Sequence, residues 1–169
     1  MGLDWYAESS AIWKLFKTIL QKWEKHCITL HSLADQIMGL ERCEKDGINV
    51  PQETFLAVQI TIESKIMEEL QNLVGNIHEM EVQHIAMTSL LGKVTARCQY
   101  LLERHNKDTP EFQQLQTIDS VNNHMAVMIA MKKVPLQKAK FDDLQSLQEF
   151  KQINILTKCI ENELEKCFF

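Results

Sequence analysis

The sequence predicts an all-α fold: an elongated antiparallel bundle of about four to five helices, forming a single domain over residues 1–169. Hydrophobic residues make up 45% of the 169 positions, which is enough for a substantial buried core. The chain has only 5 Gly and 3 Pro, too few for the many turns of a β protein. Its hydrophobic residues recur at alternating steps of three and four, the spacing of one helical face. These observations favour a few long helices.

The first long helix is predicted over residues 10–46. Its hydrophobic positions form a seam of about four heptads in which His26 fills one gap, and such a seam needs a second helix to cover it. Ser9 or Ser10 is expected to cap the start, and Asp46-Gly47 is expected to end the helix. The seam residues are Ile12, Phe16, Ile19, Trp23, Leu30, Leu33, Ile37 and Leu40.

The second long helix is predicted over residues 52–105, because Pro51 is compatible with the first turn of a helix. Gly75 and Gly92 fall inside it and each cost about 1 kcal/mol relative to Ala, so they mark positions for a kink or a close helix contact. The seam residues are Ile66, Leu70, Leu73, Ile77, Met80, His84, Met87, Leu91, Val94, Cys98 and Leu101.

Two shorter helical regions are predicted over residues 110–133 and 142–166, the latter as one or two helices. The segment Asp108-Thr109-Pro110-Glu111 has the cap, the proline and the acid that are typical of a helix start. The first of these helices should end before Pro135, because the residue preceding a proline disfavours helical geometry. The stretch that follows is rich in lysine and is expected to be a charged connector; its lysines are Lys132, Lys133, Lys138 and Lys140.

Charge and cysteine usage narrow the classes of function. The chain has 18 Lys and Arg against 23 Asp and Glu, and a net charge of -5 argues against binding a nucleic-acid backbone as the main task. The five Cys are widely spaced and form no Cys-x-x-Cys pair, so neither a disulfide framework nor a zinc site is indicated. No signal peptide and no membrane span are predicted. We therefore expect a protein of the cytoplasm and nucleus.

Candidate catalytic and metal-binding residues are scarce. Glu81 and His84 have the Glu-x-x-His spacing found in di-iron bundles, but such a site needs a second copy and two further inward Glu residues. His84 also lies on the hydrophobic seam, which favours a buried or partner-facing imidazole. We expect no enzyme activity, no catalytic residue and no cofactor, and keep a metal-binding helical-bundle enzyme as the less favoured alternative.

Helix length points to an interaction protein instead. Two helices of about 50 Å or more cannot bury their whole seams against two shorter ones, so some hydrophobic surface is left for another chain. A coiled-coil scaffold subunit of another assembly, of the kinetochore or vesicle-tethering type, would use the same seams. The candidate partner-binding residues are Trp5, Trp23, His84, Lys132, Lys133, Phe141 and Leu144.

The order of features from Ile12 to Leu164 resembles the family of ribosome maturation factors that interact with AFG-type AAA+ ATPases. A companion family, the cyclin-dependent-kinase-2-interacting proteins, is also similar, at Lys22-Trp23-Glu24 followed by Ala34, Ile37 and Leu40. The residues that carry the first resemblance are Leu33-Ala34-Asp35-Gln36-Ile37, Val50-Pro51 with Phe55, Leu91 to His105, Lys132-Lys133, Phe141-Asp142-Asp143-Leu144-Gln145 and Leu147.

The resemblance implies a non-catalytic adaptor subunit of an AAA+ ATPase complex. Such a subunit pairs with a related helical subunit, as a heterodimer, and sits on the ATPase hexamer. The ATPase uses ATP to pull proteins out of complexes, in large ribosomal subunit maturation and in protein turnover during DNA replication. In this interpretation the subunit recruits or positions substrate, needs no cofactor, and contacts neither a membrane nor a specific nucleic-acid sequence.

Overall fold

A computed structural model describes residues 5–102 and 110–168, and all four elements in them are helices. These are α1 (Trp5–Lys45), α2 (Gln52–Leu102), α3 (Pro110–Lys138) and α4 (Leu144–Phe168). Each helix packs antiparallel to the next along the chain, and α1 also packs against α4. The prediction of an all-α bundle with two long helices is confirmed.

Helix α1 begins earlier than predicted, at Trp5. Ser9 lies inside the helix, where its hydroxyl donates to the Tyr6 carbonyl oxygen at 2.9 Å. The prediction of a serine cap at the start is therefore wrong, because the hydroxyl bonds back to its own helix. The predicted end is confirmed: the helix ends at Lys45, and Gly47 takes the left-handed conformation with φ of 67°.

Helix α1 buries two rows of side chains where the sequence predicts one. The predicted seam is buried from Ile12 to Leu33, and Ile37 and Leu40 pack at its edge. A second row at seven-residue spacing is also buried, and together the two rows let α1 pack against both α2 and α4. The second row consists of Trp13, Leu20, Cys27 and Ala34.

Helix α2 runs without interruption through Gly75 and Gly92. A Cβ atom added at either glycine would meet no atom within 4 Å, so within this chain neither the kink nor the close contact is found. The predicted seam is confirmed between Ile66 and Cys98, with Leu70, His84 and Leu91 half-buried. The last predicted residues of this helix, 103–105, lie outside the described residues.

Helix α3 passes through Pro135 and ends at Lys138, so the predicted end at residue 133 is wrong. Proline removes only one hydrogen-bond donor, and the last turn closes through the Ala139 N–H, 3.1 Å from the Pro135 carbonyl oxygen. Continuing the helix also buries Leu136 in the core. The predicted lysine-rich connector is therefore mostly helix, and only Lys140 lies in the short connection 139–143. The predicted cap residues 108 and 109 fall outside the described residues.

Helix α4 is one helix, from Leu144 to Phe168, where the sequence allowed one or two. It begins two residues later than predicted, because the Asp143 carboxylate accepts the N–H groups of Gln145 at 3.1 Å and Ser146 at 3.3 Å. The Ser146 hydroxyl donates to the Asp143 carbonyl oxygen and accepts the Lys140 N–H. These bonds fix the turn between α3 and α4.

Candidate partner-binding surface

The two tryptophans among the predicted partner-binding residues lie inside the bundle. Trp5 is buried under α2, with the Arg97 guanidinium 5.7 Å from its ring centroid. Trp23 is buried in the core, where its ring packs edge-on against Phe150 at 5.9 Å. Both side chains therefore contact this chain, and neither is presented on its surface.

The two adjacent lysines are engaged by neighbouring helices. Lys132 is 2% exposed, and its Nζ lies 2.9 Å from Glu161 Oε1 and 5.2 Å from the centroid of the Trp23 ring. Lys133 is exposed, and its Nζ lies 2.6 Å from Glu81 Oε1. The expected charged connector is thus corrected: these lysines join α3 to α4 and to α2.

Phe141 and Leu144 flank the start of α4. Phe141 is exposed in the turn before the helix, whereas Leu144 is half-buried and packs against the core. Phe141 is therefore placed where another chain could contact it.

His84 and Glu81 do not belong to a larger set of ligands. The Nε2 of His84 is buried and has no hydrogen-bond partner among the described residues, while Glu81 is paired with Lys133. Within residues 5–102 and 110–168, no group of three or more His, Cys, Asp or Glu side chains is placed to hold a metal ion. The pair therefore lacks the further ligands that a di-iron site requires.

Polar contacts on α1 pair it with α2 and α4. His26 Nδ1 lies 2.6 Å from Glu69 Oε2, and Lys158 Nζ lies 2.7 Å from Glu24 Oε1. The hydrogen bond and the charge of Glu24 raise the pKa of Lys158. Both pairs are at the surface or close to it, so they set the register of the helices more than they add stability.

The end of the α1–α2 hairpin lies in the longest stretch without a buried residue among those whose burial the structure describes. We call residues 39–61 the hairpin end; none of them is buried. Ile48, Val50 and Val58 are exposed there, and Val58 lines a groove of about 500 Å³ between α1 and α2. The other residues of the groove are Gln36, Glu53, Thr54, Ala57, Thr61 and Ile62.

The sequence predicts an uncovered surface but does not place it at the hairpin end. The signal was present in the lengths of the helices. Lys133, near the end of α3, pairs with Glu81, so α3 accompanies the second half of α2 and leaves its first turns beside α1. Within residues 5–102 and 110–168, Val58 then has no third helix to cover it.

The structure thus defines an all-α protein whose longest hairpin ends in uncovered hydrophobic side chains. No protein-family model matches the chain, and neither a curated protein nor a solved structure is significantly similar to it. Within the described ranges, no helix is both long enough and apolar enough to cross a membrane.

Proposed function

We propose that this protein is a non-catalytic adaptor subunit of an AAA+ ATPase complex, and that it docks through the hairpin end. The observation that carries the proposal is the exposure of Ile48, Val50 and Val58 on a hairpin that the other described residues leave uncovered. Hydrophobic side chains clustered on a surface are typical of protein interaction sites.

The energetics of burial support this role for the hairpin end. Complete burial of a large aliphatic side chain contributes about 1.5–3 kcal/mol. Roughly half of each of these side chains is still exposed, so burial against a partner can contribute roughly half of that free energy. The adjacent groove can accept a side chain from a partner, and its rim carries the polar residues Gln36, Glu53 and Thr54. A hydrophobic centre with a polar rim is the usual anatomy of an interface.

The resemblance described above supports the finer part of the proposal. It favours an AAA+ ATPase hexamer and a related helical subunit as partners. It also favours large ribosomal subunit maturation and replication-linked protein unfolding as the processes served. In this assembly the partner hydrolyses ATP, and the adaptor positions the protein to be unfolded.

The test is affinity purification of the tagged chain from cells, followed by mass spectrometry. The variant Ile48→Glu/Val58→Glu places two charges on the hairpin end. Val127→Glu, at an exposed position on α3, is the matched control. We expect the parent and the control to recover an AAA+ ATPase and a related helical protein. Recovery with the double variant should fall at least about tenfold, because a buried unpaired charge is strongly unfavourable.

Two results would contradict the proposal. If all three chains recover the same partners equally, the hairpin end is not the docking site. If the parent recovers another assembly and no AAA+ ATPase, the adaptor function is wrong, and a kinetochore or tethering complex in that position would favour the scaffold alternative.

A further inference from the structure

Helix α2 carries a second row of exposed side chains, apart from its buried seam; two of them, His78 and Val82, line a groove of about 270 Å³ beside α1. We call this second row the outer row; its eleven residues follow one another at steps of three or four, and every one of them is exposed. Such spacing places them on one face of the helix. The residues of the outer row are Leu56, Ile60, Ser64, Met67, Gln71, Val74, His78, Val82, Ile85, Ser89 and Gly92.

The composition of the outer row is unusual for a helix face in water. It contains no Lys, Arg, Asp or Glu, although 24% of the chain is charged. Ile60 and Ile85 are 64% and 67% exposed, and Val74 is 57% exposed. A helix face exposed to solvent is normally charged and polar. The outer row therefore has the character of a seam that packs against another helix.

The dimensions of the outer row suit a stable helix pair. From Leu56 to Gly92 it runs about 54 Å at 1.5 Å per residue. This is the length of about five heptads, and six of the eleven positions carry a large apolar side chain. A strip of that length and about 11 Å in width has an area of about 600 Å². Two copies would then bury about 1,200 Å², the lower end of the range for specific interfaces.

Two glycines independently indicate that a helix of another chain packs against α2. Gly92 is in the outer row and Gly75 is next to Val74. Each is inside the helix, where glycine is less favourable than Ala. Apart from the adjoining turns of α2, no atom of the described residues lies within 4 Å of a Cβ placed at either position, so no contact among them requires glycine there. A second helix that approaches closely at these positions would require it.

The outer row is complementary to itself when two copies run antiparallel. A twofold axis beside Val74 brings large side chains opposite small or differently shaped ones, whereas a parallel pair in register would stack each residue on itself. In the antiparallel pair every contact occurs twice. The opposed residues are Ile60 and Ser89, Ser64 and Ile85, Met67 and Val82, Gln71 and His78, with Leu56 beside Gly92.

We infer that the outer row is the interface of an antiparallel homodimer, in which α2 of one chain packs along α2 of a second copy. This self-association goes beyond the adaptor function proposed above, because it needs no other protein. The outer row begins inside the hairpin end, at Leu56 and Ile60, but it contains none of the three side chains on which the proposed docking site rests. Val74 lies beyond the hairpin end, so a substitution there leaves those three side chains unchanged.

The first test is analytical ultracentrifugation of the purified full chain over a dilution series. The variant Val74→Glu places two like charges face to face at the twofold axis, and Ile28→Glu, at an exposed position on α1, is the matched control. We expect the parent and the control to sediment as dimers. The dissociation constant of Val74→Glu should rise at least about 100-fold with the helical circular dichroism signal unchanged.

The second test uses disulfide crosslinking to determine whether the two α2 helices run antiparallel. The parent chain is the background control, because it has five Cys of its own. Val74→Cys should crosslink to itself. Ile60→Cys should crosslink to Ser89→Cys in a mixture, and not to itself. A parent that stays monomeric, a Val74→Glu chain that stays dimeric, or crosslinks of Ile60→Cys to itself alone would each overturn the inference.

Discussion

Lys132 and Trp23 form a buried contact between α3 and α1, in which the ammonium group lies 5.2 Å from the centroid of the indole ring. The Glu161 carboxylate, from α4, completes the arrangement at 2.9 Å. A charge removed from water is tolerated when an opposite charge and an aromatic face replace part of its hydration. This cluster therefore joins three of the four helices at one point.

The first prediction concerns the two charges of this cluster. Glu161→Gln leaves the Lys132 ammonium buried beside a neutral group, so we expect the free energy of unfolding to fall by about 2–3 kcal/mol. Lys132→Met removes the charge but keeps a long side chain against Trp23. It should lower the free energy of unfolding by less than about 1 kcal/mol. Chemical denaturation of both variants measures the difference.

The double variant Lys132→Met/Glu161→Gln is the control for this comparison. It should be more stable than Glu161→Gln alone, because no ammonium group remains buried beside a neutral amide at position 161. Equal losses in the two single variants would mean that the ion pair itself, and not the burial of one charge, determines the stability here.

Most of the fold follows from local spacing, which the sequence displays directly. The alternating steps of the α1 and α2 seams require helices, and a left-handed glycine at position 47 requires a break. The second buried row of α1, with Trp13 and Cys27, was missed because a heptad count selects one face. A helix in a bundle with two neighbours needs a wider face.

The end of α3 and the fate of Lys132 could not be predicted from neighbouring residues alone. A proline alone predicts the end of a helix, but here the burial of Leu136 in the core favours continuation of α3 through Pro135. Glu161 is distant from Lys132 in the sequence, so neighbouring residues do not reveal their ion pair. Without it, the cluster of lysines predicts a charged connector. The uncovered hairpin end likewise depends on where α3 stops along α2.

The second prediction concerns pH. Burial lowers the pKa of His31 from its model-compound value of 6.5, and Lys151 lowers it further, while Asp35 acts in the opposite direction. The folded chain thus binds this proton less readily than the unfolded chain. The contribution of His31 to stability is complete above 6.5 and is lost as the pH falls from 6.5 through the lowered pKa of the folded state.

We therefore expect the free energy of unfolding of the parent to decrease more steeply below pH 6.5 than that of His31→Leu. The replacement also removes a buried Nε2 that has no hydrogen-bond partner among the described residues. Urea denaturation at a series of pH values measures both curves. Parallel curves for the two proteins would show that His31 does not titrate differently on folding.

The third prediction compares two glycines near the end of α1. Gly39 is helical and a Cβ there meets no atom within 4 Å, so Gly39→Ala should raise the free energy of unfolding by about 0.5–1 kcal/mol. Gly47 has φ of 67°, which alanine adopts at a cost of about 1–2 kcal/mol. Gly47→Ala should therefore lower the free energy of unfolding. Thermal unfolding of the two variants should shift in opposite directions, and a shift in the same direction would contradict the geometry of the hairpin.

The fourth prediction separates two buried asparagines. Asn122 Oδ1 accepts a hydrogen bond from the Thr88 hydroxyl at 3.1 Å, whereas Asn76 Nδ2 is buried without a partner among the described residues. Replacement by alanine gives both positions the same gain in helix propensity and the same loss of side-chain volume. The difference between Asn76→Ala and Asn122→Ala therefore combines the hydrogen bond lost at Asn122 with the desolvation penalty relieved at Asn76.

A neutral hydrogen bond contributes about 0.5–1.5 kcal/mol, and a buried donor without a partner carries a penalty of its own. We expect Asn76→Ala to match or exceed the parent in the free energy of unfolding, and Asn122→Ala to fall about 1 kcal/mol below Asn76→Ala. Thr88→Val, which removes the donor of the bond, should lower the stability in the parent and have little further effect in Asn122→Ala, because the two residues share one interaction. Additive losses in that pair would show that Thr88 and Asn122 stabilise the α2–α3 contact independently.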